Sequence, residues 1–580
     1  MTLLLLLCPL LLMRPFITPL LLSFLAPSLS AQGGAYEGLT LYQPNSSTTA
    51  YLINMDGSVY HSWTGPTGPG LSVYLMPDGD LMRTLRTGNG PGGTGGAVER
   101  VSWDGTVEWR FDYNQPNQYL QHHDIEPLPN GNILMVAWDY RSAAIATAEG
   151  RNPATISGGQ ILSDSVLEIQ PTGPNSGQIV WAWYAFDHLI QDFSPSANNY
   201  GVVGDHPELI DVNFPPGGGG GGGGPGGGQN GTDWLHINSV DYNEELDQII
   251  VSVHNTSEFW VIDHSTTTAE AASHSGGNSG KGGDLLYRWG NPRAYDQGTS
   301  ADQVLYGQHD AQWIADDLSG AGDILVFNNR LNAPGPSSSS VDQITPPLNA
   351  DGSYSYTPGT AYGPQNLTWQ YQAAVPTDFY SQNISGCERL PNGNTLVCSG
   401  AQAWIFEVTP AGQVVWEHNN TFGPGGGGPG GGGNTNVFRA RRHRLCDSPT
   451  VYCQAGVNSN GVSAQISWSG TNSVAANDLV LEVFSAMNGQ PGIFYYGPNQ
   501  IQAPFGGGYR CVGGAVKRLP VLFSDSFGDA SYSIDLNSTT SSTGSIAEGD
   551  IWNFQFWYRD PAGGLSGFNL SDSLSVPFCP

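Results

Sequence analysis

A short hairpin motif recurs along this chain and constrains its fold more than any other feature. LPNGN occurs at residues 128–132 and again at 390–394, and MPDGD at 76–80 is a variant of it. Each sets an Asn-Gly or Asp-Gly turn between apolar strands, such as ILMVAW and TLVCSG, because hairpin turns demand backbone with positive φ. A second element alternates with the first: a turn and then a strand ending in tryptophan, at Trp63, Trp109, Trp181, Trp289, Trp369 and Trp416. Inner hairpin followed by outer hairpin is the strand order of a β-propeller blade, and the closest spacings match a minimal blade of about 40–50 residues.

Complete units fall at 71–110, 122–183, 236–290, 309–370 and 385–417. Residues 38–63 hold outer strands and a Trp but no inner hairpin, while NVFRARRHR at 436–444 is a lone strand. The two ends are therefore expected to pair into a sixth, composite blade, which also removes exposed sheet edges. The reading is all-β: a six-bladed β-propeller over 36–445, then a β-sandwich over 446–580, where LPNGN units stop and short alternating strands such as AQISWSG and NFQFWYRD begin.

Residues 1–31 read as a secretory signal peptide, and Pro9, Pro15, Pro19 and Pro27 interrupt any apolar span of ~20 residues. The mature chain is expected to be secreted, periplasmic or at the cell surface, with no membrane span. Its removal takes Cys8 and leaves six of seven cysteines, none at metal-ligand spacing. Counting outward from a two-residue Asn392-Gly393 turn opposes Cys387 to Cys398 and predicts a disulfide; Cys446, Cys453, Cys511 and Cys579 form further pairs of open connectivity. A formal charge of −30 with only 20 Lys and Arg excludes nucleic-acid partners. No GxSxG, HExxH or phosphate loop occurs and no cofactor is expected; DYNEELD at 241–247 lacks the EF-hand Gly and Glu and reads as a solvated turn. Glycine runs at 89–96, 215–228 and 423–433 join one blade to the next and would rim the channel mouth.

Aligning the units on their turns brings candidate chemistry into register. His123 precedes Asn130-Gly131 as Ser385 precedes Asn392-Gly393, and HDAQW and HINSV set His309 and His236 at the same place. Three inner strands thus begin with a histidine facing the channel. Alternation turns His122, Asp124 and Asp310 to the other face, the two aspartates to accept backbone hydrogen bonds between blades. Arg330 ends ILVFNNR, the strand returning from the His309 turn, and supplies a guanidinium fork for an anion. Arg439 and Arg441 share one face of the closing strand, where a solvated or blade-to-blade ionic role is expected ahead of a contribution of cations to the channel.

Together HHDIEPLPNGNIL, DWLHINSVDYNEELDQIIVS, QHDAQW with ILVFNNR, and RLPNGNTLV resemble the bacterial arylsulfate sulfotransferase family over roughly residues 36 to 445. The resemblance implies a six-bladed propeller that moves a sulfuryl group from a small phenolic sulfate ester to a phenol acceptor through a sulfurylated histidine, without a nucleotide donor. His236, His309 and Arg330 match the family's auxiliary histidines and arginine. The nucleophilic position falls on Ser385, so either His123 or His309 takes that role or the reaction has changed. A non-catalytic extracellular ligand- or partner-binding propeller is the alternative reading, and a sulfate-ester hydrolase would share the same site.

Overall fold

The computed structural model describes residues 34–215, 233–331, 337–422, 435–444, 449–474, 477–536, 546–547, 550–563 and 566–578. Residues 1–31, expected to be a signal peptide, the glycine run at 423–433 and all of the run at 215–228 except Pro215 lie outside them, as do Cys446 and Cys579.

Six antiparallel sheets, five of four strands and one with a fifth, form the blades. Blade 1 is the composite: Val437–His443 is innermost and pairs with Leu39–Pro44, followed by Thr49–Ile53 and Val59–Thr64. Blade 2 runs Pro69–Leu75, Leu81–Arg86, Gly96–Val101, Val107–Asp112, and blade 3 runs Tyr119–Pro127, Ile133–Ser142, Gln160–Gly173, Ser176–Tyr184. Blade 4 is Ile237–Asn243, Gln248–Val253, Glu258–Asp263, Tyr287–Trp289. Blade 5 is His309–Trp313, Ile324–Asn328, Ser340–Ile344, Trp369–Tyr371, and blade 6 is Gly386–Arg389, Thr395–Ser399, Trp404–Val408, Val414–Asn419. Each innermost strand lies against the next around the ring, and that of blade 6 lies against Val437–His443.

Both repeated motifs have a physical reason. In LPNGN the two Asn carboxamides donate to a glutamate on the blade's third strand: Asn130 and Asn132 to Glu168, Asn392 and Asn394 to Glu407. MPDGD inverts the charges, with Asp78 and Asp80 holding Arg100 at the corresponding place. Each repeated Trp, on the outermost strand of its blade, donates its indole N–H to the outer loop of the next blade. Trp63 reaches Ser102 O, Trp109 Ser176 O, Trp181 Thr266 Oγ1, Trp289 Pro364 O and Trp369 Pro410 O, and Trp416 returns to Met55 O of blade 1.

The predicted Cys387–Cys398 disulfide is absent; both are buried free thiols. The turn contains three residues, with Leu390 N–H donating to Asn394 O and Gly393 at φ 85°, so Cys387 faces Val397 and Cys398 faces Gly386. That one-residue slip turns the two side chains to opposite faces of the blade: Cys387 packs with Phe327 and Phe406, Cys398 with Leu390 and Val437. A disulfide joins Cys453 and Cys511 instead, in the C-terminal β-sandwich. There a five-stranded and a three-stranded sheet share one core of Ile466, Leu481, Val483, Phe494, Phe554, Phe556 and Leu574. In the DYNEELD turn, Asp247 Oδ1 is taken by Tyr242 at 2.9 Å and His264 at 2.8 Å.

All six blades meet in a buried ionic cluster. Arg439 of blade 1 binds both oxygens of Asp124 in blade 3 (2.9 and 2.6 Å), Asp310 in blade 5 (2.8 Å) and the Tyr74 hydroxyl in blade 2 (2.5 Å). Arg441 binds Asp310 at 2.9 and 2.7 Å and the Cys387 carbonyl in blade 6 at 3.1 Å. Asp124 also accepts from Val240 N–H in blade 4, and Asp310 from Cys387 N–H, the backbone role expected of both. Although burial opposes its ionisation, Arg441 and Arg439 hold the Asp310 carboxyl down at about 2. Removing Arg439 would strand the buried Asp124 carboxylate, while Asp310 keeps Arg441, and such a loss typically costs about 3–5 kcal/mol. Arg439→Met is expected to lower the urea midpoint by that amount of unfolding free energy with little change in slope.

Candidate functional site

The innermost strands of blades 3, 4 and 5 present their histidines at one end of the ring. The ring centroids of His123 and His236 are 4.5 Å apart, and a fourth histidine, His254, joins them, 5.2 Å from His236 and 5.5 Å from His309. Phe438 of the closing strand lies 6.0 Å from His123 and 6.4 Å from His309, giving the arc an apolar side. Arg330 follows Ile324–Asn328 and is half-buried, and its charge contributes to keeping His254 neutral. The structure therefore gathers His123, His236 and His309, with Arg330 beside His254.

His123 and His236 hold left-handed backbone, φ 50° and 57°. For a residue with a Cβ this costs roughly 1–2 kcal/mol and often accompanies function. The pairing breaks there: Met135 opposes Ile125, but Ala137 opposes Gln121. This bulge corrects the expectation that His122 points away, since alternation fails where the strand bulges. His122 Nδ1 is 2.8 Å from His123 Nδ1, its ring stacks on Trp138 at 3.9 Å, and its Nε2 lies 3.0 Å from Asp164 Oδ1. The glycine run at 89–96 does not join two blades as expected but links Leu81–Arg86 to Gly96–Val101 within blade 2, from where it reaches His123. Gly93 O accepts from His123 N–H, and a Cβ on Gly93 would fall 1.8 Å from His123 Cε1 and 2.2 Å from Nε2.

The four rings differ in protonation and in what their nitrogens do. At His236 burial disfavours the cation, yet Asp233, 2.5 Å from Nδ1, and the more distant Asp164 outweigh it and raise the pKa above the usual histidine value. Burial, reinforced by the neighbouring histidines, drives His123 and His309 well below that value. His309 has both nitrogens occupied: Asn329 amide donors are spent on Ser381 O and Ile384 O, so its Oδ1 accepts from Nδ1–H at 2.8 Å, and Nε2 accepts from Ile384 N–H at 3.1 Å.

His254 is different. Asn255 gives its amide to the carbonyls of Asp233 and Trp234, so its Oδ1 must accept from His254 Nδ1–H at 2.9 Å. Nε2 is thereby left as the lone pair. Burial first, then charge on His236, hold this imidazole down at about 4, so it is neutral at ordinary pH. Sequence reasoning missed His254, though it ends IIVSVHN, the strand returning from the His236 hairpin, just as Arg330 ends ILVFNNR. Ser385, by contrast, is a framework residue: its buried hydroxyl donates to Ser381 Oγ at 2.7 Å and accepts from Gly400 N–H at 3.0 Å.

A neutral imidazole with a free lone pair, a charged imidazole and a guanidinium at the mouth of a closed ring define a β-propeller with an axial site suited to anionic groups. The family model for arylsulfotransferase (ASST) matches residues 58–421. The chain belongs to that family, and the resemblance read from the sequence is borne out.

No curated protein matches the sequence. Among solved structures, a protein of unknown function from Bacteroides caccae is similar at 12% identity and TM-score 0.37, covering 70% of this chain and 98% of that one. A virginiamycin B lyase from Staphylococcus aureus is similar at 11% identity and TM-score 0.32, covering 67% and 83%. The Cps50 (Swd1) β-propeller domain of Myceliophteria thermophila follows at 8% identity and TM-score 0.32, covering 66% and 87%.

Substituting Gly93 tests whether the His123 end of the arc must stay as it is. Gly93→Ala forces the His123 ring to move, and displacements of about 1 Å in such sites cost on the order of 100-fold. Turnover of an aryl sulfate is expected to fall by about that factor, and because Gly93 holds left-handed backbone at φ 90° the folded state should also lose roughly 1–2 kcal/mol.

Proposed function

We propose that the protein is a secreted arylsulfate sulfotransferase whose nucleophile is His254, with His236 as general acid and base and Arg330 as sulfate ligand. The observation that carries this reading is the fixed tautomer of His254: a neutral ring between His236 and His309 whose Nε2 makes no hydrogen bond among the described residues. His254 Nε2 attacks the sulfur of a phenolic sulfate ester, the S–O bond to the aryl oxygen breaks, and His236 gives its proton to the departing phenolate. An acceptor phenol then returns a proton to His236 as its oxygen attacks sulfur, and the N–S bond breaks. Charge on the sulfuryl oxygens needs preorganised cations, as in phosphoryl transfer, and Arg330 with protonated His236 supplies them. His309 and His123 act as neutral packing and hydrogen-bonding walls. The chain is inferred to divide into a signal peptide (1–31), the catalytic propeller (36–445) and the sandwich (446–580). Among the described residues no helix is long and apolar enough to cross a membrane.

Ser385 at the family's nucleophile position favours a second reading, a non-catalytic ligand-binding propeller, and one experiment separates the two. Rapid quenching with an aryl sulfate followed by peptide mapping should find the sulfuryl group on the peptide bearing His254, and His254→Ala should abolish both adduct and turnover. An adduct on another histidine, or full turnover by His254→Ala, sinks the assignment; no turnover of any aryl sulfate by the wild type supports the ligand-binding propeller. Turnover that survives in both His236→Ala and His309→Ala would remove the channel mechanism altogether.

The pH profile follows from the two shifts. As pH falls through about 4, His254 gains a proton and loses its lone pair. As pH rises past the raised value of His236, the acid is lost. A bell-shaped kcat/KM is expected, and because the Asp233 charge raises both His236 and His254, Asp233→Asn should move the alkaline limb strongly and the acid limb slightly, both toward lower pH.

A further inference from the structure

A second histidine cluster lies outside the channel, on the outer side of blades 3 and 4. His188 follows Ser176–Tyr184, the outermost strand of blade 3, after the single turn Ala185–Asp187. His274 and Asp284 lie in the segment between Glu258–Asp263 and Tyr287–Trp289 of blade 4. Asp284 Oδ1 is 2.9 Å from His188 Nδ1 and 2.7 Å from His274 Nδ1, and one ligand atom from each residue falls within 4.8 Å of the others.

The hydrogen bond behind His188 gives the cluster its meaning. His188 Nε2 lies 2.8 Å from the Ala271 carbonyl, which only accepts, so Nε2 carries a hydrogen. In the neutral ring Nδ1 is then a bare lone pair aimed at a carboxylate oxygen. Two acceptors face each other, and a second imidazole presents its Nδ1 to that same oxygen. Something positive belongs among them. A carbonyl orienting the far N–H of a histidine is also the usual outer support of a metal-bound imidazole.

The surroundings hold the ring in that pose. His188 is buried and stacks on Trp183 with 4° between planes, while the Trp183 indole donates to Gly283 O at 2.7 Å. A Cβ at Gly283 would fall 2.6 Å from His188 Nε2 and 2.0 Å from Ala271 O. His274 is largely exposed, its side chain at 61%, which leaves the open side of the cluster to water.

We propose that His188, His274 and Asp284 bind one Zn²⁺ ion, with water in the fourth position, as a clip between the outer edges of blades 3 and 4. Two nitrogens and a carboxylate oxygen suit zinc, whose ~2.0–2.1 Å bonds in a tetrahedron set ligands roughly 3.3 Å apart. The two Asp284–histidine pairs need open by only about half an ångström to reach that, and the two histidine nitrogens, within 4.8 Å of each other, need close by at most about 1.5 Å. Sequence spacing hides the site because its outer ligands stand 96 and 10 positions from Asp284.

The test is calorimetric titration of the full-length, chelator-stripped protein with Zn²⁺, beside His274→Ala, Asp284→Asn and the channel variant His236→Ala. Wild type and His236→Ala should bind one equivalent with the same affinity, and His274→Ala and Asp284→Asn should bind at least ~10-fold more weakly. Zinc should raise the melting temperature of the wild type more than that of His274→Ala, whose exposed side chain can be lost without unfolding. No binding by the wild type, or affinity unchanged in His274→Ala, or binding lost in His236→Ala instead, overturns the proposal and leaves a histidine–aspartate hydrogen-bonded pair.

Discussion

The ring depends on two guanidiniums that the closing strand carries to its axis. Asp124 and Asp310 are each the residue after a channel histidine, and both are buried in contact with Arg439 or Arg441. Taking such charges out of water is costly unless each is matched and hydrogen-bonded, and here every carboxylate oxygen is engaged. Pinning these aspartates pins the strands of blades 3 and 5 just below their histidines. The axis therefore has two layers, ionic beneath and imidazole above, and the lower fixes the upper.

In the imidazole layer, similar side chains are driven apart by small differences in their neighbours. Burial makes all four reluctant to charge. Asp233 overcomes this at His236 alone, and the charge so created further discourages protonation at His123, His254 and His309. Backbone and amide hydrogen bonds then fix the tautomer of each of His254 and His309, occupying both nitrogens of the second. In the proposed reaction, a set of like residues thereby serves as one acid, one nucleophile and two walls without any change of residue type.

Much of this was legible in the sequence because hairpin turns set register. The Asn-Gly turns put His123, His236 and His309 in equivalent places, and the composite blade followed from a strand surplus at one end and a deficit at the other. What failed did so for local reasons. A three-residue turn in place of a two-residue one separated Cys387 from Cys398, and a bulge brought His122 alongside His123. His254 was missed because it sits on a second strand, where an inner-strand repeat does not look. The roles of Asn255, Asn329 and Ile384 depend on hydrogen bonds between segments whose adjacency only the folded chain reveals.

The tryptophan relay carries an implication for how the ring is made. Five of its six indole bonds join blades that follow one another along the chain, so they can form as the chain lengthens. The sixth, Trp416 to Met55, spans 361 positions, and the inner strand for Leu39–Pro44 arrives later still, with Val437. Through most of synthesis the first three strands can pair with one another but lack their innermost partner. Loop-closure entropy then sets the pace of the last step, and a chain that cannot lock until its far end emerges stays loose for as long as a passage across a membrane would require.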